Sequence, residues 1–209
     1  NPNNATYGSY FDASYLQWLS QSGARVAPIR YDLPLPSITA LVAKLNGVLF
    51  TGGPDMPATT LMYYNAASHL FELTLNNTDN DLPLWGTCLG FETISSLGGG
   101  IGDEILGEFD AEKLSLPLEG IDIARSKIFQ GMTDEQLMNV QSNNVTTNWH
   151  SFGVSLDDFE EFLLPVGFIP SSVNVDRDGK TFVSTIEHEK YPIYATQWHP
   201  EANQFDGFD

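Results

Sequence analysis

The sequence predicts an α/β protein in which helices cover both faces of a mostly parallel central sheet, giving three layers. Two observations support this fold class. In the first half of the chain, helix-like segments alternate with short apolar strands, which is typical of a parallel sheet covered by helices. The last third is rich in strands and contains a hairpin turn, which predicts an antiparallel extension of that sheet.

Length and composition favour one domain. With 209 residues, 42% hydrophobic and 12% aromatic content, the chain can fill a single core. We therefore expect one domain over residues 1–209.

Hydrophobic spacing defines five elements in the first half. Phe11, Tyr15 and Trp18 recur at helical intervals, and Gly23 can end that helix before a β-branched run. Short apolar runs further along indicate buried strands. The predicted elements are a helix over 10–21, a strand over 25–29, a strand over 46–50, a helix over 60–75 and a strand over 82–86.

Glycines, capping residues and a turn define the elements of the second half. A helix that starts after Cys88 reaches about Leu97, where three consecutive glycines end it. Ser155 and Asp158 form a capping-box-like start for a short acidic helix. The other predicted elements are a helix over 134–138, the acidic helix over 155–162, strands over 163–169, 173–176, 181–187 and 193–197, and a hairpin turn over 176–179.

The charge of the chain disfavours two classes of partner. Nine Lys and Arg residues stand against 27 Asp and Glu residues, for a formal net charge of -18. Such a chain repels phosphate backbones and anionic membrane surfaces, so we expect neither nucleic acid nor membrane as a partner. No stretch approaches the roughly 20 apolar residues that span a bilayer.

Three N-glycosylation sequons, at Asn4, Asn76 and Asn144, are typical of a secreted or vacuolar protein. They predict a vacuolar, lysosomal or extracellular location. The single cysteine excludes an intramolecular disulfide, so cysteine usage does not decide the compartment.

Cys88 lies where an apolar strand runs directly into a helix. Gly86 and Gly90 flank it, and a tight strand-to-helix turn needs small neighbours of this kind. A helix N-terminus also favours a thiolate over a thiol. An isolated cysteine is commonly a small buried apolar residue, but this context favours a nucleophile.

A second motif places a histidine at the end of a strand. His199 follows the strand predicted over 193–197, and Glu201 lies two residues further on, where it can orient the imidazole. Gly52 and Gly53 follow another strand, where backbone amides can approach a ligand closely. We expect the Gly53 and Leu89 amides to form an oxyanion hole, although a plain turn explains the glycines equally well.

His150 is the fourth candidate. It lies in residues 148–152, among Trp149 and Phe152. The spacing leaves open whether it is a second active-site histidine or a polar loop residue.

These motifs together resemble the class I glutamine amidotransferase-like superfamily, with its flavodoxin-like fold, and specifically the γ-glutamyl hydrolases, which trim folate polyglutamates. The resemblance rests on GTCLGFE at 86–92, QWHPE at 197–201 and LFTGG at 49–53, and runs from about Tyr7 to Glu201. Two details favour the hydrolases. Glu92 stands where glutamine amidotransferases usually carry glutamine, and residues 148–151 resemble the region of the hydrolases' second essential histidine. The family's first strand and C-terminal segment are expected to be missing from this chain.

The resemblance implies a cysteine hydrolase that cleaves γ-glutamyl amide bonds, most suitably in folylpoly-γ-glutamates. Cys88 would be the nucleophile, His199 the general base and acid, Glu201 its orienting partner and His150 an active-site residue, with Gly52 and Glu92 lining the site. We expect a small-molecule substrate and neither cofactor nor metal, and leave a homodimer open. The alternatives are a glutaminase subunit that supplies ammonia to a synthase and a catalytically silent binding protein.

Overall fold

The computed structural model describes residues 10–202, except residues 55, 78 and 80. The α-helices are α1 (Ala13–Gln21), α2 (Leu35–Val42), α3 (Tyr64–Asn76), α4 (Leu89–Gly99), α5 (Asp134–Ser142) and α6 (Leu156–Asp158). The strands are β1 (Val48–Phe50), β2 (Leu84–Thr87), β3 (Gly107–Glu108), β4 (Leu114–Leu116), β5 (Thr146–Asn148), β6 (Phe152–Gly153), β7 (Phe168–Val175), β8 (Thr181–His188) and β9 (Ile193–Thr196). Shorter turns are 3-10 helices at Ala58–Thr60, Gly102–Ile105 and Leu164–Val166, and a π-helix at Phe159–Leu163.

A five-stranded mixed sheet, in the order β1-β2-β9-β8-β7, forms the centre of the fold. β1, β2 and β9 run parallel, while β8 and β7 continue the sheet in antiparallel pairing. The predicted parallel sheet with a later antiparallel extension is therefore confirmed in outline.

Helices pack on both faces of this sheet. Along β2, Gly86 faces α4, because a Cβ added there would lie 2.5 Å from the Gly90 carbonyl oxygen. Trp85 is the preceding residue and points to the opposite face, where its ring meets Trp18 of α1 at 5.8 Å between centroids. The sheet is thus covered from both sides, as the three-layer prediction requires.

Helix ends follow ordinary capping chemistry. The Asp12 side chain accepts the Ser14 amide at the start of α1. Thr133 and Gln136 form a reciprocal capping box at α5, which runs four residues further than predicted, to Ser142. Gly100, in the left-handed conformation, ends α4 as the glycine run predicts.

Three strand predictions are wrong: one strand is absent, and two are replaced by a single strand. Residues 25–29 form no strand, because the run lies largely exposed and pairs with no strand among the described residues. The strand predicted over 163–169 begins only at Phe168, after the π-helix and a 3-10 turn that Gly167 ends with a positive φ. β7 then continues to Val175 as one strand, with register shifts between Pro170 and Val173, in place of the two strands that the sequence predicts.

A second, smaller cluster of apolar side chains lies beside the main core. Phe109, Ala111 and Phe182 form it. Two short antiparallel pairs, β3 with β6 and β4 with β5, bring residues 146–153 against this cluster.

None of the helices among the described residues is long and apolar enough to cross a membrane.

His188, the last residue of β8, is held in its neutral form by its surroundings. Its Nε2 donates to the Val166 carbonyl, and its Nδ1 accepts the amides of Lys190 and Tyr191. Burial lowers the pKa of His188 below its usual value of 6.5, with a smaller lowering by Lys127 and Lys190. The nearby charge of Glu189 and the bond to Val166 act in the opposite direction.

We predict that His188 makes the fold sensitive to acid. A histidine whose pKa is lowered on folding stabilises the native state above pH 6.5, and this contribution is lost as the pH falls below that value. Between pH 7.5 and pH 5, His188→Phe should lose less thermal stability than the wild type, measured as Tm, although it starts from a lower Tm. Tyr191→Phe, which keeps the imidazole, should follow the wild-type slope. Equal slopes for all three proteins would contradict the prediction.

Candidate active site

The ends of three neighbouring parallel strands assemble the site. β1 leads into Gly52, β2 into Cys88 and β9 into His199. Because parallel strands have their carboxyl ends at the same edge of a sheet, these three residues meet although they are far apart in sequence.

Cys88 occupies a strained turn between β2 and α4. Its φ of 52° and ψ of -110° are unusual for a residue with a side chain. The Cys88 amide donates to the Thr196 carbonyl at 2.9 Å, so β9 holds the turn from one side. The sulfur lies 3.7 Å from the Trp149 carbonyl oxygen. The predicted strand-to-helix elbow is therefore present, with Cys88 at its apex.

His199 and Glu201 form a buried pair. His199 Nδ1 lies 2.7 Å from Glu201 Oε1, with side-chain exposures of 14% and 2%. With the Nδ1 proton donated to the carboxylate, Nε2 is the basic nitrogen, and it is buried without a hydrogen-bond partner among the described residues. An oriented imidazole with a free basic nitrogen is what proton transfer from a thiol requires.

Gly52 shows that the imidazole and the cysteine face the same point. A methyl group on Gly52 would lie 2.9 Å from His199 Cε1 and 3.6 Å from Cys88 Cβ. A side chain at this position would therefore collide with the imidazole. A glycine is required at position 52 because the His199 imidazole lies so close to it.

The loop that carries Gly53 packs on the Leu89 side chain. A Cβ on Gly53 would come within 2.5 Å of Leu89 Cδ2, so the loop after β1 packs on the first turn of α4. The Leu89 amide is in the first turn of a helix, where no carbonyl four residues earlier is available. The Gly52 amide, by contrast, donates to the Tyr15 hydroxyl at 2.7 Å.

His150 is buried, next in sequence to the residue whose carbonyl contacts Cys88. Its ring packs edge-on against Phe182 at 5.0 Å between centroids, and Nδ1 lies 2.7 Å from the Phe152 carbonyl oxygen. Its neighbour Trp149 contributes the carbonyl at the Cys88 sulfur, and the Trp149 residue is 42% exposed. These contacts anchor the segment whose Trp149 carbonyl approaches the Cys88 sulfur.

Glu92 links α4 to the end of β9, which is followed by His199. It is 3% exposed, and its Oε1 accepts from Gln197 Nε2 at 3.1 Å. Gln197 precedes His199 by two residues. This contact therefore joins α4, which follows Cys88, to the segment that carries His199.

Tyr15 is a site residue that the sequence motifs do not reveal. Hydrophobic spacing places it on the apolar face of the first helix, which it does occupy, but its hydroxyl also reaches Gly52. Burial raises the pKa of Tyr15 far above its usual range, and the charges of Glu201 and Cys88 raise it further.

No grouping of three or more His, Cys, Asp or Glu residues suited to a metal ion occurs in the described part of the chain.

Comparison with known families decides the family. The family model described as glutamine amidotransferase class-I matches residues 6–206. The chain belongs to the class I glutamine amidotransferase family. A solved structure with the same fold is the glutaminase domain of Trypanosoma brucei CTPS with bound acivicin, at a TM-score of 0.66 and 16% identity, over 93% of this chain and 84% of that one. The predicted fold class is confirmed.

Within this class I amidotransferase family, the chain is similar to curated γ-glutamyl hydrolases. It is 37% identical to γ-glutamyl hydrolase B of Dictyostelium discoideum, over 98% of this chain and 60% of that protein. It is 38% identical to the γ-glutamyl hydrolase of Rattus norvegicus, over 94% of this chain and 62% of that protein. The chain thus spans about three fifths of the length of these relatives.

Proposed function

We propose that this chain is a cysteine hydrolase that cleaves γ-glutamyl amide bonds, with folylpoly-γ-glutamates as its substrate class. The observation that carries the proposal is the convergence of Cys88, at its strained elbow, with the buried pair of His199 and Glu201. The similarity to γ-glutamyl hydrolases indicates which bond is cleaved.

The reaction begins with proton transfer from the Cys88 thiol to His199 Nε2. The thiolate attacks the γ-carbonyl carbon, and the Gly53 and Leu89 amides donate to the oxyanion that develops. His199 then gives its proton to the leaving amine as the C–N bond breaks, leaving a γ-glutamyl thioester. Water, deprotonated by His199, hydrolyses the thioester and regenerates the thiol.

A polyanionic substrate needs local cations or amide donors, because the chain as a whole carries a charge of -18. Lys190 is not suited to this role: it lies in the turn before β9, whereas the site lies after the end of that strand. Arg30 is already paired with Asp32. We infer that backbone amides near the helix N-terminus of α4 and the glycine loop carry most of the local recognition of the substrate.

The test is a comparison of two substrates. Incubation with a defined folate pentaglutamate should give shortened products in mass spectrometry, which also report the position of the cut, and incubation with glutamine should release little ammonia. Ammonia from glutamine with an untouched pentaglutamate would replace the proposal with the glutaminase alternative. Binding of the pentaglutamate without turnover would indicate a silent binding protein.

We also propose a vacuolar, lysosomal or extracellular location. Asn144 is exposed in the loop before β5, and Asn76 is exposed at the end of α3, so both are open to glycosylation. Asn4 lies outside the described residues. Glycopeptide mass spectrometry of the natively expressed protein measures whether Asn144 carries a glycan. An unoccupied Asn144 would count against the proposed location.

A further inference from the structure

Tyr15 brings α1 into contact with the catalytic loop. The residue is 4% exposed, and its hydroxyl oxygen accepts the Gly52 amide at 2.7 Å. A methyl carbon on Gly52 would lie 2.6 Å from this hydroxyl and 2.9 Å from His199 Cε1. The phenol therefore stands next to the catalytic imidazole, with an accepted hydrogen bond already in place and its own proton left to donate.

Glu201 needs a donor for its second oxygen. Its Oε1 is engaged with His199, while Oε2 is buried and lacks a hydrogen-bond partner at ordinary distance among the described residues. Burying a carboxylate oxygen without a hydrogen-bond donor costs free energy, so a hydrogen bond from a nearby hydroxyl would stabilise it. After burial, the charge of Glu201 is the largest cause of the raised pKa of Tyr15, which supports a short separation between the two groups beside the contact of both Tyr15 and His199 with Gly52.

We propose that Tyr15 is a positioning residue of this site: its hydroxyl, held by the Gly52 amide, donates its proton to Glu201 and so holds that carboxylate against His199. The inference rests on the proposed cysteine hydrolase mechanism and adds a fourth residue to Cys88, His199 and Glu201. Because Tyr15 stays protonated, it is a permanent donor. Because the Gly52 amide is committed to Tyr15, the oxyanion is left to the Gly53 and Leu89 amides.

A positioning role of Tyr15 differs from a role that only anchors the Gly52 loop. A positioning role acts through Glu201, so its effect must vanish when the Glu201 charge is removed. An anchoring role would cost the same with or without that charge. A double-mutant cycle between Tyr15 and Glu201 distinguishes the two roles.

The experiment compares Tyr15→Phe, Glu201→Gln and the double variant. Loss of a hydrogen bond to a charged group predicts that Tyr15→Phe lowers kcat about tenfold to hundredfold, with KM within about twofold. In the Glu201→Gln background the same change should lower kcat by less than about twofold. Tyr63→Phe is the matched control, because it removes a buried hydroxyl that bonds Thr93, and it should retain kcat.

A second measurement needs no substrate. Cys88 is the sole cysteine, so its alkylation by iodoacetamide near neutral pH reports the thiolate directly. Tyr15→Phe should slow alkylation in the wild-type background and leave it unchanged in the Glu201→Gln background. Equal losses in both backgrounds, or no loss in either, would overturn the role of Tyr15. Failure of the wild type to cleave any γ-glutamyl substrate would instead remove the proposed function, while the alkylation cycle still decides the question of Tyr15.

Discussion

Cys88→Ala is expected to lower kcat for γ-glutamyl hydrolysis by about 10³-fold or more, because no other thiol is present to form the thioester. The side chain is 6% exposed and small, so its removal should leave the fold intact and the Tm nearly unchanged. Binding of the pentaglutamate should persist, measured by isothermal titration calorimetry.

Ser95→Ala is the matched control for this variant. Ser95 is buried in α4, the helix that follows Cys88, and its hydroxyl has no hydrogen-bond partner in the described part of the chain. Its loss should leave kcat unchanged. Turnover by Cys88→Ala within about tenfold of the wild type would remove Cys88 from the mechanism.

Of the variants proposed for this protein, Gly90→Ala is expected to lower the free energy of unfolding most. Its added Cβ would lie 2.3 Å from the Phe50 carbonyl oxygen and 2.9 Å from the Phe50 carbonyl carbon. Since backbone atoms of β1 cannot move aside as a flexible side chain can, α4 must shift away from the sheet. We expect the free energy of unfolding to fall by about 3 kcal/mol, which lowers the Tm by roughly 6–12 °C in a chain of this size.

Gly131→Ala is the control for Gly90→Ala, because a Cβ at Gly131 meets nothing within 4 Å. Its effect on the free energy of unfolding should stay within about 0.5 kcal/mol. Thermal unfolding followed by circular dichroism measures both variants. A Gly90→Ala protein with wild-type Tm would contradict the tight packing of α4 on β1, and with it the rigid support of the elbow.

The local chemistry of the site can be predicted because it is written in short motifs. Gly86 and Gly90 around Cys88 predict a strand-to-helix elbow, and the structure has that elbow with a positive φ at the cysteine. A histidine after a strand, followed two residues later by Glu201, predicts an orienting pair, and the two side chains lie within hydrogen-bond distance. The functional roles of these residues stay predictions.

Other elements cannot be predicted in this way, because their stability depends on partners distant in sequence. Residues 25–29 have the β-branched composition of a strand, but no described strand pairs with them, so composition alone misleads. α2 escapes prediction because it spans only eight residues, and proline stands at both its N-cap and its second position. The apolar run of 163–166 has the composition of a strand, whereas Leu163 packs on α4 at the end of the π-helix and residues 164–166 continue as a 3-10 turn.

The sequence by itself determined the α/β class, the elbow at Cys88 and the strand-end positions of Gly52 and His199, because each depends on a few consecutive residues. The tertiary structure alone decided which of these ends meet. The order β1-β2-β9 sets three distant strand ends side by side, and the packing of α1 against the sheet brings the Tyr15 hydroxyl to Gly52. Hydrophobic spacing can place Tyr15 on a buried face, but the strand end that this face meets depends on long-range packing, which no local pattern encodes.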